Sequence, residues 1–193
     1  MPLEVRPATA ERFGDLEAVL GPKDPEAPAC WCLSYRVSSG DQQLRDGTSR
    51  RAVMRELCSA PVPPGVLAYL GGQVVGWCSV SPRSSYHRLV HSRVIPTVDD
   101  QPVWSVVCFV VRPGFRRQGV AVGLLEGAVA FARDEGAGIL EGYPADNAGK
   151  RLSGAFAYTG TRSLFERVGF AVVANTTSRT GGVPRVVMRR DIR

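Results

Sequence analysis

The sequence predicts a single α/β domain over residues 1–193. Its sheet is expected to be mixed but mostly antiparallel, with about six to seven strands flanked by helices. Three stretches carry that expectation. Val103–Val111 is almost wholly apolar and rich in β-branched residues, as suits a strand buried on both faces, and an amphipathic helix follows it. Val66–Leu70 and Gln73–Ser81 flank Gly71-Gly72, a hairpin signature. Phe170–Thr176 and Arg185–Arg190 flank Thr180-Gly181-Gly182 in the same manner. The two hairpins supply antiparallel neighbours, and the strand–helix–strand unit between them supplies a parallel pair. The chain is long enough for one well-buried core, and no long linker divides it.

In chain order, Leu3–Pro7 reads as the first strand. Ala10–Leu20 reads as a helix capped by Thr9, with Phe13, Leu16, Val19 and Leu20 on one face. Pro22 through Pro28 is a breaker-rich loop. Cys30–Arg36 fits a short strand or a helical turn equally. Ser49–Ser59 reads as a helix capped by Ser49, with Val53, Met54 and Leu57 inward, ended by Pro61, Pro63, Pro64 and Gly65. Ser81–Pro102 has little periodicity beyond a short helix capped by Ser84 and running to Leu89. A segment of that length in a small domain usually serves binding, so it is expected to form a lid or wall. Arg112-Pro113-Gly114-Phe115 predicts a turn, with proline presetting φ and Gly114 taking positive φ. From Val120 the apolar residues Leu124, Leu125, Ala128, Val129 and Ala132 recur at helical spacing. Gly136–Gly138 ends that helix. Ile139–Tyr143 is then a short strand parallel to Val103–Val111, because the crossover is helical. A polar loop, Ala145–Gly160, precedes a helix at Arg162–Val168, opened by Gly160 or Thr161 and closed by Gly169.

The chemistry concentrates where the central strand hands over to its helix. A helix start leaves amide groups unpaired and carries partial positive charge, which favours a phosphate there. Gly119 and Ala121 are small enough to let a ligand approach the backbone. Arg112, Arg116 and Arg117 add full charge beside the same end. Neither G-x-x-x-x-G-K-[ST] nor G-x-G-x-x-G is present.

Arg116-Arg117-Gln118-Gly119-Val120-Ala121 resembles the [RQ]-x-x-G-x-[GA] signature of the GCN5-related N-acetyltransferase (GNAT) superfamily. Ser163-Leu164-Phe165-Glu166-Arg167-Val168-Gly169-Phe170 resembles the L-Y-x-x-x-G-F end of that superfamily's fourth helix. The two motifs with their flanks cover about residues 100–175. The resemblance implies acetyl-CoA as co-substrate and a primary amine on a small molecule or peptide as acceptor. It implies that Arg116, Arg117, Gln118, Gly119, Val120, Ala121 and Val122 hold the diphosphate. Main-chain groups of Phe109, Val110 and Val111 would meet the pantetheine arm, and an N–H at Val110 or Val111 would face the thioester oxygen. Phe165 stands where many members carry a tyrosine that protonates the leaving thiolate, so that role needs another group. Dimers are frequent in the superfamily, and a homodimer is one possibility here.

Acetyl transfer to an amine requires a base, a hydrogen-bond donor to the thioester oxygen, and in-line positioning. The central strand carries no carboxylate, whereas many relatives have a glutamate there. Glu141, on the adjacent strand, is the best candidate base: among apolar neighbours its pKa would rise. The same residue is equally readable as a paired structural carboxylate. Tyr158 and Tyr143 compete as the acid, and transfer without a dedicated acid is a third option. Cys108 suggests a thiol nucleophile but lacks a recognisable histidine partner. Trp31, Tyr35 and Tyr86 are candidate acceptor-pocket aromatics, with a core position the alternative for Trp31 and Tyr35. Asp99, just before the central strand, would attract a cationic acceptor.

Composition narrows the alternatives. The formal net charge is +6, nearly all of it from arginine, with lysine only at positions 23 and 150. Arginine suits phosphate recognition, but no basic tract interleaved with aromatics appears, and no nucleic-acid partner is expected. No apolar run is long enough to span a bilayer, and the N-terminus lacks a secretory pattern. A cytoplasmic protein with no membrane partner is therefore expected. Five scattered cysteines read as free thiols, and Cys30-Trp31-Cys32 is too tight for half of a zinc knuckle. His87 and His91 sit four apart without the acidic partner of H-E-x-x-H, so no metal is expected. Two rivals remain: a non-catalytic acyl-CoA-binding or sensing module, and an arginine-rich interaction domain.

Overall fold

Glycine pairs make the turns of the sheet. In the computed structural model, Gly71 and Gly72 have φ of 58° and 79°, and Gly181 and Gly182 have 54° and 78°. A two-residue hairpin turn of type I′ needs positive φ at both central residues, which glycine supplies without strain. The structure describes residues 2–24, 27, 29–38, 47–149, 152–154 and 156–193. The expected loops Pro22–Pro28 and Ala145–Gly160 therefore lie partly outside the described residues.

Strands β1 (Leu3–Pro7), β2 (Gly65–Leu70), β3 (Gln73–Pro82), β4 (Trp104–Val111), β5 (Ile139–Gly142), β6 (Ala171–Thr180) and β7 (Val183–Asp191) form one sheet. Its order is β1-β2-β3-β4-β5-β7-β6. Only β4 and β5 run parallel. The helices are α1 (Phe13–Leu20), α2 (Gly47–Cys58), α3 (His87–Val90), α4 (Val120–Asp134) and α5 (Arg162–Arg167).

The anticipated face of α4 is buried: Val120, Leu124, Leu125, Ala128, Val129 and Ala132, joined by Phe131. With Phe165 and Phe170 it builds one core against the sheet. Gly127 lets α4 approach β1, since a Cβ there would meet Val5 Cγ1 at 2.3 Å. On the opposite face, Phe13 and Leu16 of α1 and Met54 of α2 pack with Trp31 and Trp77. Beside them, Tyr86, Leu89 and Ile95 of the 81–102 segment cover Val107, Tyr143 and Val187.

The local differences from the sequence reading have simple causes. Residues Ala10–Arg12 form a 3-10 turn before α1, and the Thr9 hydroxyl accepts from Arg12 Nη1 at 3.1 Å instead of capping the helix. Helix α2 begins two residues before Ser49, so Ser49 lies inside it. Ser84 also fails as a cap: it lies within the 3-10 turn Arg83–Ser85, and Tyr86 precedes α3. Gly114 is not in the positive-φ region; Pro113 opens a 3-10 turn there instead. Cys30–Arg36 is a series of turns. Strands β6 and β7 run further toward their shared turn than the apolar pattern suggested, because the hairpin continues past the core. Thr161 does cap α5, accepting from Leu164 N–H at 3.4 Å.

Candidate active site

Helix α4 starts from Gly119, whose backbone sits at φ 81° and ψ −4° with no side-chain cap. The first bond of the helix runs from Gly123 N–H to Gly119 O at 3.0 Å. The amides of Val120, Ala121 and Val122 consequently have no carbonyl of their own helix to meet. A Cβ at Gly119 would meet nothing within 4 Å, so the space before these amides is open. A hollow of about 460 Å³ flanks this corner, lined by Gln118, Gly119, Val122 and Gly123 together with Leu3, Val5, Glu126 and Arg167. Arg117 is exposed, with φ of 62°. Gln118 Nε2 donates to Gly114 O at 3.0 Å and braces the loop.

The three arginines are not equivalent. Arg112 is turned away: its Nη1 donates to Val74 O at 3.1 Å, on β3. Arg116 Nε donates to Val111 O at 3.1 Å, holding the end of β4. Arg117 alone projects from the loop without such a tie among the described residues.

Strands β4 and β5 part early. Their pairing covers Trp104↔Leu140, Ser105↔Glu141 and Val106↔Gly142, then stops. At the fork β4 also bulges: Ser79 faces Cys108 while Val80 faces Val106, leaving Val107 as an extra residue. A bulge bends the strand and re-aims side chains. Val106 and Phe109 consequently pack with α4, whereas Val107 and Cys108 both pack on the opposite face.

The sequence profile of the acetyltransferase (GNAT) family matches residues 32–152. The chain belongs to the GNAT acetyltransferase family. It is therefore an acyltransferase, and its mixed sheet is the GNAT fold. A GNAT-family acetyltransferase from Streptococcus pneumoniae aligns over 100% of both chains, with a TM-score of 0.56 and 13% identity. The Salmonella typhimurium protein yncA, solved with its cofactor acetyl-CoA, has a TM-score of 0.55 at 16% identity. That alignment covers 99% of this chain and 94% of yncA. The Drosophila melanogaster polyamine N-acetyltransferase, which forms N-acetylagmatine, has a TM-score of 0.55 at 12% identity, over 98% and 100% of the two chains. No curated protein sequence matches.

Within this GNAT fold, Tyr35, Tyr158, Cys108 and Arg185 gather beside the fork. Tyr158 stands on the 3-10 turn Ala157–Thr159, which packs against β4. Burial, and then the neighbouring Tyr35, push its phenol above the ordinary value. Tyr35 is buried, and its hydroxyl accepts from Arg185 Nη1 at 2.8 Å. Cys108 Sγ lies 2.9 Å from Cys32 Sγ, and both are free thiols. Their contact and burial push the Cys32 thiol well up. The chain brings Cys32 to Cys108 through two successive left-handed residues, Trp31 and Cys32 themselves, with φ of 49° and 55°.

Glu141 is 1% exposed, but its neighbours are not apolar. Tyr143 Oη donates to Glu141 Oε1 at 2.7 Å, and Arg189 Nε donates to Oε2 at 2.7 Å. Arg83 Nε lies 3.8 Å from Oε1. The paired reading of this carboxylate thus describes its surroundings. Tyr143 is fully buried and also shares a 2.9 Å hydrogen bond with Ser105. Burial and the Glu141 charge raise its phenol far above the usual range.

The other expected site residues disperse. Asp99 Oδ2 accepts from Arg189 Nη1 at 2.6 Å, so its charge is already answered. It lines a cavity of about 410 Å³ with Arg83, Trp104 and Glu141, at the end of β4 away from the start of α4. Trp31 is a core residue, stacked on Phe13 with centroids 6.4 Å apart. Tyr86 is fully buried, its hydroxyl bonded to Ser79 at 3.0 Å. Neither ring lines an open surface. Phe165 is fully buried edge-on to Phe109 and Phe170, and offers no proton. The rings of His87 and His91 stack at 4.2 Å. Among the described residues no cluster of His, Cys, Asp or Glu is placed to hold a metal ion. Among them, too, no helix is long and apolar enough to cross a membrane.

Sequence reasoning missed Arg185 and Arg189. They alternate with Val186 and Met188 on β7, whose side chains enter the α4 core. Arginines at positions of inward parity on a strand were the available signal.

Proposed function

We propose that this protein is an acetyl-CoA-dependent N-acetyltransferase that moves the acetyl group directly to a primary amine. One observation carries the reading: the unpaired amides of Val120–Val122 behind an open Gly119, beside strands that part at Val106 and Gly142. Acetyl-CoA supplies the activated acyl group. The amides and the Arg117 guanidinium would hold its diphosphate, as a helix start favours. Arg116, exposed, would leave Val111 O free by swinging outward. The free edge of Phe109–Val111 would take the pantetheine arm.

Tyr158 is the acid in this reading. Its raised pKa keeps the proton on the phenol near neutrality, ready for the departing thiolate. Glu141 does not touch the fork itself. It would receive the amine proton through the Tyr143 hydroxyl, which already donates to it. No step needs Cys108, whose nearest described partner is another thiol rather than a base.

Calorimetry with CoA, followed by CoA-thiol release from acetyl-CoA across a panel of primary amines, tests the proposal. Binding with amine-dependent release is expected. Binding without release on any amine would indicate an acyl-CoA-binding module, and no binding would remove the cradle.

A further inference from the structure

We infer that the acceptor carries a carboxylate beside its amine, and that Arg185 recognises it. This rests on the acetyltransferase reading above and names the substrate class for the same site.

Arg185 is 5% exposed. Its Nε donates to Tyr143 O at 2.8 Å, and its Nη1 to Tyr35 Oη at 2.8 Å and Ser178 Oγ at 3.4 Å. All three partners are neutral. Among the described residues its Nη2 has no hydrogen-bond partner and no carboxylate pairs with it. Arg189, on the same face of β7, shows the contrast: it binds both Glu141 and Asp99. A buried guanidinium without a counter-ion is costly unless something else answers it.

Its position says what answers it. Tyr35 binds Arg185 directly, and Tyr158 and Cys108 adjoin them at the fork. An acceptor amine presented to the thioester there brings its substituents against Nη2. Nη2 itself is buried, so the arriving carboxylate must shift a neighbouring side chain to reach it. A carboxylate fits the planar donor edge of a guanidinium. A second cation does not. Agmatine, the acceptor of the Drosophila neighbour, has a guanidinium and no carboxylate, so it is disfavoured here.

The test compares matched amines with and without the carboxylate: phenylalanine with phenethylamine, leucine with isoamylamine, arginine with agmatine. The wild-type protein should prefer the carboxylate member by about tenfold or more in kcat/KM. Arg185→Gln should bring each pair to within about twofold, by raising KM for the carboxylate member and leaving CoA affinity unchanged. Arg185→Lys should keep part of the preference. Equal or inverted preference in the wild type overturns the inference, and that comparison stands even if Arg185→Gln does not fold. A variant that slows both members of each pair equally also overturns it. Calorimetry of the same pairs, with and without CoA, separates the two proposals. Tighter binding of the carboxylate member supports Arg185 even without turnover, and equal or no binding overturns it. Failure of CoA itself to bind falls on the acetyltransferase reading.

Discussion

Replacing Gly119 separates what the backbone requires from what the ligand requires. At φ 81° a side chain costs roughly 1–2 kcal/mol in the left-handed region. Nothing lies within 4 Å of the new Cβ, so that conformational cost is the whole cost of Gly119→Ala. In a chain of this size it lowers Tm by about 2–8 °C. Gly119→Glu bears the same strain but places a carboxylate at a helix start, which returns about 0.3–1 kcal/mol. The Glu variant should therefore melt no lower than the Ala variant. Toward CoA the order reverses. A carboxylate about 5 Å from one phosphate charge opposes binding by roughly 3 kcal/mol at an effective dielectric of about 20. That is more than about a hundredfold in Kd. Gly114→Ala is the control, since Gly114 has neither positive φ nor a neighbour within 4 Å of its Cβ, and it should leave Tm and affinity alone. Differential scanning calorimetry and CoA titration read the two effects separately. A folded Gly119→Glu protein with wild-type CoA affinity would refute the cradle.

Three further outcomes are expected. Glu141→Gln should slow turnover while leaving CoA binding nearly unchanged, and should lower stability by about 3 kcal/mol because Arg189 loses a buried partner; an unaltered rate would assign the proton to another acceptor. Gly142→Ala should destabilise by about 1–3 kcal/mol or more in urea melts, since its Cβ falls 2.1 Å from Phe165 Cε1 and that ring is wedged between Phe109 and Phe170. Glu17, held below its ordinary pKa of 4.5 by the Arg51 guanidinium, contributes stability that is present above pH 4.5 and fades as pH falls through its depressed value. Both groups are more than a third exposed, so the effect is about 0.5 kcal/mol. The Tm gap between wild type and Arg51→Gln should narrow on acidification, though not close, because Arg51 also lies over the Phe13 ring at 5.3 Å.

Elements delimited by local chemistry were legible from residues alone. Strand β1, the Gly71-Gly72 hairpin and the start and buried face of α4 follow from periodicity and turn glycines, which act within a few residues. The helix caps were less legible. Thr9, Ser49 and Ser84 have the right chemistry, but the chain entered each helix elsewhere, and a cap works only where the backbone already turns.

The acceptor side of the site depends on contacts that no local pattern encodes. Whether Trp31 and Tyr86 are pocket or core rings is decided by partners such as Phe13 and Ser79, far away or across a turn. The bulge at Val107 is invisible in a run of apolar residues, because a one-residue offset changes no composition; it shows only against β3. The same offset places Cys108 on the face with Tyr35 and Tyr158, where regular alternation would have turned it toward α4. Arg185 and Arg189 look like one solvated stripe in the sequence, yet among the described residues Arg189 meets two carboxylates and Arg185 meets none. That asymmetry arises because Glu141 and Asp99 gather at the closed end of the β4–β5 pair, while Arg185 faces the end where the strands separate. The positive charge left over at the fork is thus a consequence of sheet topology, and it is the charge that the carboxylate of the proposed acceptor would answer.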